Sequence, residues 1–130
     1  MLGNAKVGAF LCVQDREAAR IFYRDTLGLS LMYEDPFALV FNAGGTTLRV
    51  SPVKVLQPQP FTVLGWEVPD IDTAIESLEA AGVSFVRVPG LSQDARGIWS
   101  PSPGVKVAWF KDPDGNMLSL GQSRSPANAV

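Results

Sequence analysis

One order of local signals occurs twice in this chain, and the repetition constrains the fold more than any other feature. Residues 7–13 form an apolar run rich in β-favouring types, which predicts a buried strand. "DREAARIFYRDTLGL" follows as a helix: Asp15 is placed to cap its N-terminus and Glu17 suits the first turn. Ala18, Ala19, Phe22 and Tyr23 give it an apolar face, and Gly28 stops it. Short strands are expected over 30–33, 38–41 and 47–51, the last two joined through "NAGG".

The second half repeats this order. Residues 62–68 read as a strand. "DIDTAIESLEAAGV" reads as a helix capped by Asp70, with Ile71, Ala74, Ile75 and Leu78 on its apolar face and Gly82 as its stop. Strands are expected over 83–88, 106–110 and 117–121. Asp15 superposes on Asp70, Ala19 on Ala74, Gly28 on Gly82, Phe41 on Phe110 and Leu48 on Leu118. The early positions lie about 55 residues apart, far too long a period for a heptad pattern. The predicted organisation is a single domain of two modules: 1–52, a linker over 53–60 bearing Pro58 and Pro60, 61–123, and a tail over 124–130. The second copy also carries a long loop, 89–104, containing "GLSQDARGIWSPSPG"; such loops are often functional or mobile. Neither module has enough strands to close a core alone. The fold class is therefore α+β, with two tandem βαβββ modules forming a curved mixed sheet around a groove.

Composition narrows the chemistry. With 46% hydrophobic residues, the 130-residue chain can bury a normal core. It has no histidine, which removes Ser-His-Asp and Cys-His nucleophilic systems and every imidazole metal site. A single cysteine excludes an internal disulfide and agrees with a reducing compartment. The 11 basic and 13 acidic residues are dispersed, so no nucleic-acid partner is expected. Apolar runs are too short to span a bilayer, and "MLGNAKVGAFLCV" lacks the features of a signal peptide. A cytoplasmic location is expected, with no membrane partner.

Three stretches, "VQDREAARIFYRDTLGL" at 13–29, "EVPDIDTAIESLEAAGV" at 67–83 and "VAWFKDPDGNMLSL" at 107–120, resemble the vicinal oxygen chelate superfamily. That group includes glyoxalase I, bleomycin-resistance proteins and extradiol dioxygenases. The resemblance spans nearly the whole chain and implies a glyoxalase/bleomycin-resistance-like fold, while one such scaffold serves many activities. In metal-dependent members, the first and last strands of each module supply the ligands. Carried onto this sequence, those positions are Gly8, Arg49, Val63 and Ser119. None supplies a carboxylate or imidazole, and Arg49 adds a positive charge where a cation would sit. No metal and no cofactor is therefore expected.

Strand alternation outward from these positions places Gly8, Phe10, Cys12, Thr47, Arg49, Ser51, Val63, Gly65, Glu67, Met117, Ser119 and Gly121 on the groove face. Trp66 falls on the opposite face. Phe41, Trp99 and Trp109 are candidates to close the groove, Trp99 by stacking from the loop, where no core demand explains it. Arg49 and Glu67 either pair across the groove or find water and surface partners. Cys12 reads more readily as an inert buried residue than as a reactive thiol. Asp112 and Asp114 lie in a Pro-Gly turn and read as structural.

Two functions remain open. One is a metal-free binding protein for a small, partly aromatic organic compound. It resembles the bleomycin-resistance branch, with an antibiotic among the candidates and, as that branch implies, a homodimer. Its ligand-binding candidates are Phe10, Cys12, Phe41, Arg49, Val63, Glu67, Trp99, Trp109 and Ser119. The other is a metal-independent lyase, isomerase or epimerase, with Glu67 as general base and Arg49 stabilising an enolate-like charge.

Overall fold

Both expected helix caps form in the computed structural model, which describes residues 1–123. Asp15 accepts a hydrogen bond from the Ala18 amide at 3.0 Å. Asp70 accepts from the Asp72 and Thr73 amides at 3.1 and 3.3 Å. Hydrogen bonds from the Thr73 amide and hydroxyl hold the Asp70 carboxyl below the usual range, because they favour its charged form. Contacts divide the chain into two units, Met1–Pro58 and Gln59–Val130. The tail expected over 124–130 lies outside the described residues.

In the first unit, β1 (Gly8–Val13) leads into α1 (Arg16–Arg20), which continues through a wider π-type turn over Ile21–Thr26. β2 (Ser30–Glu34), β3 (Leu39–Ala43) and β4 (Thr46–Pro52) complete a four-stranded sheet in the order β1-β4-β3-β2. β1 runs parallel to β4 and the other pairs are antiparallel. Residues alternate faces along a strand, so one face carries Leu11, Val13, Phe41, Leu48 and Val50 into the core. Tyr23 meets them from the helical segment, its ring 6.0 Å from Phe41 and 5.1 Å, edge-on, from Phe22.

Two arginines of α1 bind this helix to the edge of the sheet. Arg20 donates to Glu34 at 2.7 Å, and Arg16 donates to the same carboxylate and to the Asp35 carbonyl at 2.6 Å. These guanidinium donors, Arg20 first, hold the Glu34 carboxyl below its ordinary range. A depressed folded pKa gives stability that is present above the unfolded glutamate value and is lost as pH falls through the folded one. Glu34→Gln is accordingly expected to flatten the acid limb of stability against pH, read by urea unfolding across that window. An unchanged limb would show that the pairs are solvated out.

In the second unit, β5 (Leu64–Glu67), α2 (Ile71–Ala80), β6 (Trp99–Ser102), β7 (Val105–Lys111) and β8 (Met117–Gln122) follow in order. The sheet order is β5-β8-β7-β6, with β5 parallel to β8. Both units therefore have an α+β make-up with a four-stranded mixed sheet, as the sequence leads one to expect. Phe110 centres the second core, with Phe85 at 5.5 Å and Trp66 at 6.3 Å between ring centroids.

The expectation fails in one place. Residues 83–88 do not form a full strand. Phe85 makes a single bridge to Phe110, and the Val86 amide donates to the Trp109 carbonyl at 2.8 Å. The rest of that edge of β7 is taken by β6, from within the expected loop, which pairs Trp99 with Val107 and Ser102 with Val105. Between the two pieces, Gln93 orders the chain. Its amide group accepts from the Val88 amide and donates to the Val86 and Gly97 carbonyls. The carbonyls and amides that leave the ladder after Val86 thus find partners locally. No helix among the described residues is long and apolar enough to cross a membrane.

Candidate functional site

The face of each sheet opposite its helix carries the residues expected to contact a ligand. In the first unit, register sets Tyr33, Val40, Arg49 and Phe10 side by side across β2, β3, β4 and β1. Phe10 is 74% exposed, and its ring edge lies 3.7 Å from where a Cβ on Gly8 would stand. Arg49 donates to Asp35 at 3.5 Å. Asp35 in turn accepts from the Phe37 and Ala38 amides at 2.8 and 2.9 Å, which fixes the turn between β2 and β3.

In the second unit, Trp109 sits beside Ser119, and Ser119 beside Gly65. The Ser119 hydroxyl lies only 2.5 Å from the place a Cβ on Gly65 would take, so glycine there leaves room for it. Glu67 neighbours Gly121. The Trp99 and Trp109 rings lie 6.0 Å apart, inclined at 31°. Trp109 donates its indole N–H to Thr62 at 3.0 Å. A cleft of about 270 Å³ opens at this point, lined by Pro60, Phe61, Thr62, Val88, Trp109 and Met117.

Several expectations need correction. Phe41 is 0% exposed and packs on Tyr23, so it belongs to the core rather than to the ligand face. Cys12 is exposed rather than buried, because its register partner Ser51 lies on the open face. Trp99 is a strand residue paired with Val107 rather than a loop cap. Arg49 and Glu67 each have a partner in their own unit. Glu67 accepts from the Ser123 amide at 3.2 Å and from its hydroxyl. Val63 is partly exposed, and its amide donates to the Met117 carbonyl at 3.0 Å. The cleft also takes in Phe61 and Val88, which the sequence does not single out: Phe61 directly follows the linker expected over 53–60, and Val88 ends the strand expected over 83–88.

The residues at the family's metal positions do not fit a divalent ion. Gly8 and Val63 have no donor atom in their side chains, Ser119 offers a neutral hydroxyl, and Arg49 is cationic. Among the described residues, no group of three or more His, Cys, Asp or Glu is placed to hold a metal.

Comparison with known proteins agrees with this architecture. A glyoxalase/bleomycin resistance protein from a Streptomyces species is 26% identical, with a TM-score of 0.63 over 89% of this chain and 100% of that one. A genomically encoded fosfomycin resistance protein from Listeria monocytogenes is 15% identical, with a TM-score of 0.71 over 98% of each chain. An antibiotic binding protein, also from a Streptomyces species, is 24% identical, with a TM-score of 0.67 over 93% of this chain and 98% of that one. No curated protein matches. The model of the Glyoxalase/Bleomycin resistance protein/Dioxygenase superfamily matches residues 6–120, and the chain belongs to that superfamily.

Proposed function

We propose that the protein, as a homodimer, binds and sequesters a small, partly aromatic organic compound without a metal. The observation that carries this reading is the Trp99–Trp109 pair, with Trp109 in register with Ser119 and lining an apolar cleft. Aromatic walls and a few polar hooks are what a binding site for such a compound needs. The similarity to an antibiotic binding protein is in keeping with a small organic ligand. Met32 and Phe37, large apolar side chains left exposed in the first unit, support the homodimer.

Titration with 2-naphthamide, followed by tryptophan fluorescence, tests the reading. Binding is expected to quench the emission, and Trp109→Ala is expected to weaken it by about three- to tenfold, the scale of a lost stacking contact. The compound should be recovered chemically unchanged, and Glu67→Gln should bind as the parent does. Turnover of any compound that disappears in Glu67→Gln would overturn sequestration in favour of catalysis. Failure of aromatic compounds to bind at all would overturn the site itself.

A further inference from the structure

We infer that the open face of the first unit is a small-molecule site of its own, separate from the cleft beside Trp109, whose ligand carries a carboxylate received by Arg49 with its ring against Phe10. Arg49 and Phe10 are register partners on adjacent strands, and Val40 and Tyr33 continue the same row. Adjacent strands stand about 5 Å apart, so a cation and an exposed ring lie within the span of one bicyclic compound; Val40, between Arg49 and Tyr33, is 2% exposed and takes no part. Phe10 is 74% and Tyr33 53% exposed, leaving both rings open to contact.

The guanidinium is not saturated. Its described partner is Asp35, through one donor at 3.5 Å, well beyond a charge-assisted bond of about 2.8 Å. Arginine has five N–H donors in a planar fork that matches a carboxylate, so the others stay free to receive one. On the same face, Thr47 and Ser51 flank Arg49 two residues away on either side of β4, and their hydroxyls suit the outer lone pairs of such a group.

Charge count selects among anions. Arg49 is the one cation of the row, and Asp35 already offsets part of its field. A singly charged carboxylate on an apolar body fits this balance, whereas a doubly charged phosphate would need further cations. The Asp35 carboxylate then acts as a gate on strength: it competes with the ligand for the same guanidinium.

The test compares 2-naphthoate with 2-naphthamide, which share shape and differ in charge, by calorimetry on the full chain carrying Trp109→Ala, which weakens the other site. That protein should prefer the carboxylate by about tenfold or more, the range of one charged hydrogen-bonded contact. Adding Arg49→Gln should bring the two compounds to within about threefold of each other. Asp35→Asn keeps an acceptor for the Phe37 and Ala38 amides and removes the competing charge, so it should raise naphthoate affinity alone. Equal binding of the two compounds before Arg49 is changed overturns this inference, and so does binding of neither, whereas the reading of the Trp109 cleft stands or falls on the parent protein. Sedimentation at each protein concentration adds a further outcome. Naphthoate binding that appears only as a dimer dissociates would show that a second copy occupies this face, and would overturn the assignment.

Discussion

Phe41→Ala is expected to cost about 3–5 kcal/mol of folding stability, the range for deleting a fully buried phenylalanine and leaving a cavity. Phe41 is 0% exposed, pairs with Leu48 across the ladder and faces the ring of Tyr23, itself without exposed surface. No neighbour there is flexible enough to refill the space, because Leu39, Val50 and Leu48 are equally enclosed. Natural domains hold only about 5–15 kcal/mol in reserve, so the loss is a large share of the total. Phe110→Ala should lose a similar amount, since Phe110 occupies the matching place between Phe85 and Trp66 in the second unit. Urea unfolding of both variants measures this. A change within about 0.5 kcal/mol at Phe41 is what a ligand-contacting surface ring would give, and would restore it to the binding face.

The reason Phe41 was misplaced from sequence is physical. Ala38, Leu39, Val40 and Phe41 are four consecutive apolar residues, and all four are buried. Alternation assigns a face only where polar residues mark the other one. On β4 such markers exist, so Leu48 and Val50 separate from Arg49 and Ser51, whereas on β1, an unbroken apolar run, only the family position at Gly8 separates Phe10 and Cys12 from Leu11 and Val13. Helix caps were equally legible, since a carboxylate bonded to an amide two or three residues on is a local event. The edge of the second sheet was not. "FVRV" at 85–88 has stronger strand character than "WSPS" at 99–102, yet the latter pairs with β7 over more of its length. Which segment fills a sheet edge is settled by where the partner strand lies, a non-local fact. The same holds for Arg49, whose partner Asp35 sits on a turn across β3, and for the cleft at Trp109, which needs Phe61 and Val88 brought together from distant positions.

Asp112→Ala is expected to lose about 2–4 kcal/mol, because it strands several polar groups at once in a place shut off from water. Asp112 is 5% exposed and opens the turn between β7 and β8. One carboxylate oxygen accepts from the Asp114 and Asn116 amides at 3.0 and 2.9 Å, and the other from the Asn116 side chain at 2.8 Å. Pro113 sets the backbone for the turn, and Gly115 adopts φ 93°, a conformation only glycine takes cheaply. Alanine keeps the backbone bonds between residues 112 and 116 but removes every side-chain acceptor. Asparagine retains one acceptor and turns the other into a donor facing the donor of Asn116, so Asp112→Asn should fall between parent and alanine. For a chain of this size the alanine variant should melt on the order of 10 °C lower. The turn joins the strands that carry Trp109 and Ser119, so 2-naphthamide binding should weaken only as far as the folded fraction falls, and return on cooling toward maximum stability. A catalytic Asp112 would behave in the opposite way, losing turnover at every temperature while leaving the melting curve in place.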